Sequence, residues 1–107
     1  MKDAEKIQKE KIKREKNVKL LCKALSMLDD ENEVHKFLED LCTPQEIDAM
    51  SRRLMVAVML KKGDVYTKIV DETSASTATI SRVNKTLTYQ SAGGYNIILD
   101  KITGELD

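Results

Sequence analysis

Thr77, Ala78, Thr79, Ser81, Arg82 and Lys85 lie close together in a stretch, Ser74 to Leu99, that contains no acidic side chain. Their types suit the reading of a DNA major groove. Alanine and threonine methyls pack on thymine methyls, and hydroxyls bond base edges or phosphates. An arginine forks onto guanine, a contact that supplies on the order of 1–3 kcal/mol of base discrimination. Ser76 stands just ahead, where its hydroxyl can cap a helix whose amino end presents partial positive charge to a phosphate. Lys61, Lys62 and Lys68 are candidates for further backbone contacts, which position a protein on DNA while the base-facing residues specify the sequence. The same residue types also make ordinary solvent-facing helix surface, and for Arg82 taken singly a surface salt bridge is an alternative.

Other chemistry finds little support. His35 is the only histidine and has no serine, cysteine or second histidine at a catalytic spacing. Glu33, Glu39 and Asp40 read as a solvated charged face rather than a cation site. Cys22 and Cys42 do not form a CxxC pair and read as reduced structural thiols, so no metal site is expected. No phosphate-binding glycine loop occurs, and Gly93-Gly94 reads as a turn. Nothing here assembles an enzyme.

A readout face needs a helix to carry it and a second helix to hold that one. Tyr66 to Leu87, YTKIVDETSASTATISRVNKTL, predicts two helices about a tight turn, a helix-turn-helix over about 66–87. Ile69, Val70 and Thr73 form the inner face of the first helix, with Ala75 as the small residue inside the turn. Ile80, Val83 and Leu87 face inward from the second, leaving Ala78, Ser81, Arg82 and Lys85 opposite. Upstream, Thr43, Pro44 and Glu46 stand as N-cap, N1 and N3 of a capping box. That helix continues through Ile47, Met50, Leu54, Val58 and Met59 and stops at Lys61-Lys62-Gly63. Met50, Met55 and Met59 are expected in a core or a dimer interface. Val18, Leu21, Cys22, Leu25 and Leu28 predict a first core helix. The cluster DDEN at 29–32 caps a second, which carries Val34, Phe37, Leu38 and Leu41. Tyr95, Ile97, Ile98 and Ile102 predict a short closing helix. Residues 1–16 alternate lysine and glutamate and fit either a solvated helix or a disordered arm.

The chain has 107 residues, and its 18 basic and 18 acidic side chains leave no net charge to argue from. Their distribution is uneven: nine basic and four acidic residues from Met1 to Met27, then eight acidic residues against Lys36 alone from Leu28 to Asp48. With 41% hydrophobic residues, one Phe, three Tyr and no Trp, the core must be aliphatic, which favours packed helices over a β-sandwich. The expected fold is therefore all-α, with about six helices and the helix-turn-helix toward the carboxyl half. A charged arm or helix extension is expected over 1–17 and a single helical DNA-binding domain over 18–107. No apolar run approaches the ~18 residues of a membrane span, and the amino terminus lacks a signal peptide's apolar segment. The expectation is a cytoplasmic protein with no membrane partner.

CTPQEIDAMSRRL at 42–54, followed by STATISRV at 76–83, resembles the tryptophan repressor superfamily, and within it the YerC/YecD-type branch. The likeness runs over about residues 18 to 103. It implies an intertwined homodimer whose two helix-turn-helix units enter successive major grooves of double-stranded DNA, about 34 Å apart. The function implied is that of a sequence-specific transcriptional regulator acting as a repressor. The DNA-contacting set is then Lys68, Ser76, Thr77, Ala78, Thr79, Ser81, Arg82 and Lys85. The resemblance also maps an effector pocket onto Thr43, Arg53, Arg82 and Val83. In the family a glycine follows the second arginine, and the branched Val83 in its place crowds that pocket, so no tryptophan corepressor and no other cofactor is expected. The alternative reading is a helical protein-interaction module that uses the acidic second helix or the Lys/Glu arm.

Overall fold

The computed structural model describes residues 2–89, 92–102 and 105. Six helices follow in order: α1 Lys2–Ser26, α2 Glu31–Leu41, α3 Pro44–Lys62, α4 Tyr66–Thr73, α5 Thr77–Thr88 and α6 Gly94–Ile102. No strand occurs among the described residues. The chain divides into two compact units, Met1–Cys42 and Thr43–Asp107.

In the first unit, the Lys/Glu segment and the Val18 stripe belong to one helix, α1. Helix prevails over disorder for a local reason. Glu5, Glu10 and Glu15 each precede a cation by four residues (Lys9, Arg14 and Lys19), a spacing whose electrostatics favour helix even though, among the described residues, Glu10 is within ion-pair distance only of Lys13, at 4.0 Å. α1 is not the core helix that its apolar spacing suggests. Neither α1 nor α2 contains a buried residue, and Val18 (57% exposed), Leu21 (39%) and Leu25 (37%) remain in solvent. Two helices amounting to about 40 residues cannot enclose a core of their own. Of the four DDEN residues, Asp30 is the cap: its Oδ1 accepts from the Glu33 N–H at 2.9 Å, while Glu33 Oε1 accepts from the Asp29 N–H at 2.8 Å. Val34, Phe37 and Leu38 are half-buried along one side of α2, and His35 pairs with Glu39 at 2.9 Å on its exposed side.

The second unit holds the core. α3 opens with the capping box: the Glu46 N–H donates to Thr43 Oγ1 at 3.1 Å and the Thr43 N–H to Glu46 Oε1 at 2.8 Å. It closes at Gly63, which takes the left-handed conformation at φ 86°. Gly63 N–H then reaches the Leu60 carbonyl and Asp64 N–H the Met59 carbonyl, the paired bonds of a Schellman stop. Between these ends, Val56, Ala57, Val58 and Met59 are all buried, so the helix is enclosed on every side over one turn. α4, α5 and α6 all pack against α3, contributing Ile69, Ile80, Val83 and Leu99, with Ala75 in the turn between α4 and α5. Of the three methionines on α3, only Met59 enters this core; Met50 and Met55 are 38% and 45% exposed. The inward residue of α6 is Leu99, whereas Ile97 and Ile98, expected to close the core, are 61% and 40% exposed. A nine-residue helix turns one stripe inward, and four apolar residues could not reveal which stripe that is.

Candidate nucleic-acid interface

α4 and α5 are joined by Ser74, Ala75 and Ser76, and each of the three has a separate task. Ser74 ends α4 in the left-handed region at φ 61°, ψ 14°, the only non-glycine residue with positive φ among those described, and its N–H bonds the Val70 carbonyl at 2.9 Å. Ala75, 2% exposed, sits in the inner corner where a larger side chain would push the helices apart. The Thr73 hydroxyl ties the corner together. It donates to the Ile69 carbonyl at 2.7 Å and accepts from the Ala75 N–H at 3.1 Å.

Ser76 caps α5, its Oγ accepting from the Thr79 N–H at 3.1 Å and donating to Thr79 Oγ1 at the same distance. The serine proton is thus committed within the cap, and the proton left to donate outward belongs to Thr79. Thr79 is half-buried rather than on the open face. Beyond it, Ile80 and Val83 are 0% and 2% exposed and Leu87 packs against them, which fixes the rotation of the helix. Thr77, Ala78, Ser81, Arg82 and Lys85 are then all exposed. Among the described residues neither Arg82 nor Lys85 has an ion-pair partner, so the salt bridge open to Arg82 does not form. Lys68 differs: its Nζ lies 3.2 Å from Asp64 Oδ1, an exposed pair that a phosphate must compete with.

Two shallow hollows flank α5. On one side Tyr66, Thr67, Val70, Asp71 and Thr77 line a cleft of about 300 Å³. Its Asp71 places a carboxylate beside the start of α5. On the other side Leu54, Thr86, Ala92, Gly94, Tyr95 and Ile98 line an open, almost wholly apolar groove of about 470 Å³. Sequence reasoning named neither Asp71 nor Thr86 as a site residue, because each acquires its place only when a second helix packs beside it. None of Thr43, Arg53, Arg82 and Val83, the expected effector set, lines either hollow. The Thr43 hydroxyl is engaged in the capping box, Arg53 and Arg82 are exposed, and Val83 belongs to the core.

Six helices, with α4 and α5 crossing at a three-residue turn and an open polar face on α5, define an all-α protein of the helix-turn-helix class. The family described as Trp repressor protein matches residues 16–103, and the chain belongs to that family. It is 44% identical over 89 residues to the uncharacterized protein YerC of Bacillus subtilis (strain 168), covering 83% of this chain and 85% of that one. Among solved structures, a proposed Trp repressor from Staphylococcus aureus is 41% identical and superposes with a TM-score of 0.77 over 81% of this chain and 86% of its own. A TrpR-like protein from Eubacterium eligens ATCC 27750 gives the same identity and TM-score over 82% of this chain and 90% of its own. No helix among the described residues is long and apolar enough to cross a membrane.

Proposed function

We propose that the chain is a sequence-specific DNA-binding regulator, a repressor by family, which works as a homodimer and reads the major groove with α5. The observation that carries this reading is the construction of α5. Buried Ile80 and Val83 anchor a helix that exposes Thr77, Ala78, Ser81, Arg82 and Lys85, and no carboxylate occurs from Ser74 to Leu99. A scaffold helix needs no such acid-free stretch, whereas a helix entering a groove between phosphates does. In this reading Arg82 and Lys85 carry the direct contacts, Ser81, Ala78 and Thr77 the remaining base-facing surface, and Thr79 donates to a phosphate at the cap. Ser76 acts through that cap, and Lys68 makes a peripheral phosphate contact after leaving Asp64. Asp71 biases the phosphate contacts toward the Arg82 side.

The regulator works without a tryptophan corepressor. Val83 is 2% exposed within the core, and it stands where the resemblance maps a glycine beside the ligand, so a branched side chain at that position supports the reading without a corepressor. Thr43, Arg53 and Arg82 then serve capping, solubility and DNA contact rather than ligand binding. Titration calorimetry with tryptophan tests this directly: no saturable heat is expected, and micromolar binding would overturn it.

The DNA reading is tested by fluorescence anisotropy of the purified chain against genomic fragments across a salt series, with Arg82→Ala alongside. Selection of particular fragments by the wild type, with selectivity lost in the variant, is the expected result. If no fragment is selected and the two proteins behave alike, the acidic α2 becomes the surface to examine, as a protein-docking face.

A further inference from the structure

The amino-terminal part of α1 extends ahead of the family match, which begins at residue 16, and it carries a pattern of its own. Lys2, Lys6, Lys9, Lys13 and Lys16 recur at alternating spacings of four and three, which sets all five on one side of the helix. All are exposed. Among the described residues only Lys13 has an ion-pair partner, Glu10 at 4.0 Å with both ends in solvent; Lys2, Lys6, Lys9 and Lys16 have none. From Lys2 to Lys16 there are seven cations and four carboxylates; Asp3, Glu10 and Glu15 fall outside this row, and Glu5 alone lies at its edge, between Lys2 and Lys9.

We propose that this lysine row is a second nucleic-acid contact surface, which lies along the phosphate backbone of duplex DNA and adds affinity without sequence preference. At 1.5 Å per residue the row is about 21 Å long, on the order of six base pairs of duplex at 3.4 Å each. A polyanion of regular spacing is the partner that a single file of long, flexible cations fits. A lipid surface is a poorer match, because a helix lying in a membrane interface needs an apolar face beside its basic one. Ile7 and Ile12 are the only bulky apolar residues of the segment from Lys2 to Asn17, and five positions apart they point to different sides of the helix. The proposal rests on the DNA-binding reading of α5, yet it concerns different residues and a different thermodynamic signature.

The test uses the full chain with two pairwise variants of equal charge change: Lys6→Gln with Lys9→Gln on the row, and Lys11→Gln with Arg14→Gln off it. Glutamine has helix propensity close to lysine and arginine, and circular dichroism checks that α1 is retained. Affinity for a selected fragment and for a mixed-sequence duplex is followed against salt, with Arg82→Ala in parallel. The on-row pair is expected to flatten the salt dependence on both duplexes by about 0.9 in log–log slope for each lysine lost per copy. The off-row pair is expected to change it by less than half as much, and both pairs should keep wild-type selectivity. Equal flattening by the two pairs would overturn the surface in favour of net charge alone. No flattening in either, with selectivity still lost in Arg82→Ala, would overturn it and leave the α5 reading standing. If the wild type binds no duplex at all, both fall together. Binding to anionic vesicles in place of DNA, weakened by the on-row pair, would reassign the row to a membrane.

Discussion

Ser74 and Glu46 each hold a helix end by a device that a single substitution can test. A side chain at φ 61° meets its own backbone, which for residues other than glycine destabilises by roughly 1–2 kcal/mol. Glycine removes that strain but gains freedom in the unfolded chain, so Ser74→Gly is expected to raise unfolding stability by about 0.5–1 kcal/mol. Ser74→Val, branched at the strained carbon, should lower it; urea midpoints at constant m-value decide both. Glu46 is a pH-dependent case. Hydrogen bonds from the Thr43 backbone first, and then from its side chain, hold the Glu46 carboxyl below its ordinary value of 4.5. A lowered folded pKa means that the stabilisation is present above the ordinary value and disappears as pH falls through the lowered one. Glutamine mimics the protonated carboxyl. Wild type should therefore melt above Glu46→Gln at neutral pH, and the two melting curves should converge on acidification below about 4.5. A gap that persists unchanged into acid would show that the carboxylate's charge contributes nothing at the cap.

Within a single helix, the side that supports the fold and the side that performs the function should respond differently to truncation. Ile80→Ala opens a cavity in the core and is expected to destabilise by about 2–5 kcal/mol. Arg82→Ala, two residues on and exposed, should leave the melting temperature within a degree or so of wild type while removing fragment selectivity. Asp71→Asn, at the lip of the α4–α5 cleft, should tighten binding to any duplex by a few fold by removing a carboxylate that faces phosphate. Anisotropy measures the last two, and a looser complex with Asp71→Asn would assign the carboxylate a base contact instead. This division of α5 was legible in the sequence because i, i+3 and i+7 spacing fixes a helix's inward stripe wherever its two ends are known. Thr43-Pro44-Gln45-Glu46 announced α3 for the same kind of local reason. What could not be read depended on neighbours distant in the chain. Leu99 outranks Ile97 and Ile98 only because α6 turns that stripe to α3. In the sequence Ser74 is only a serine beside a turn, and its φ reveals the strain it carries.

At the scale of the molecule, the two units differ in what they bury. α3 to α6 close a core around Val56 to Met59, while α1 and α2 together contain no buried side chain. A helix as long as α1, with Leu21 and Leu25 39% and 37% exposed and Val18 57%, leaves an apolar stripe in water that a lone chain does not cover. Fully burying an exposed side chain of this kind contributes about 1.5–3 kcal/mol, and because these three are already partly covered, a partner that covers the rest adds a few kcal/mol, a large fraction of a small domain's net stability. Family membership points to a second copy of this chain as that partner, and mass action then makes the proposal measurable. If folding and pairing are coupled, the melting temperature must rise with protein concentration, because the partner acts as a ligand of the native state. Sedimentation equilibrium should give twice the 12.1 kDa chain mass at micromolar concentration. Leu21→Glu with Leu25→Glu should yield a monomer whose melting temperature is lower and independent of concentration, since the substitutions place charges where the apolar stripe was. A wild-type chain that sediments as a monomer and melts identically over a hundredfold dilution would instead leave α1 a solvated helix. Readout of two half-sites would then have to come from two chains that meet only on the DNA, and its concentration dependence would be second order.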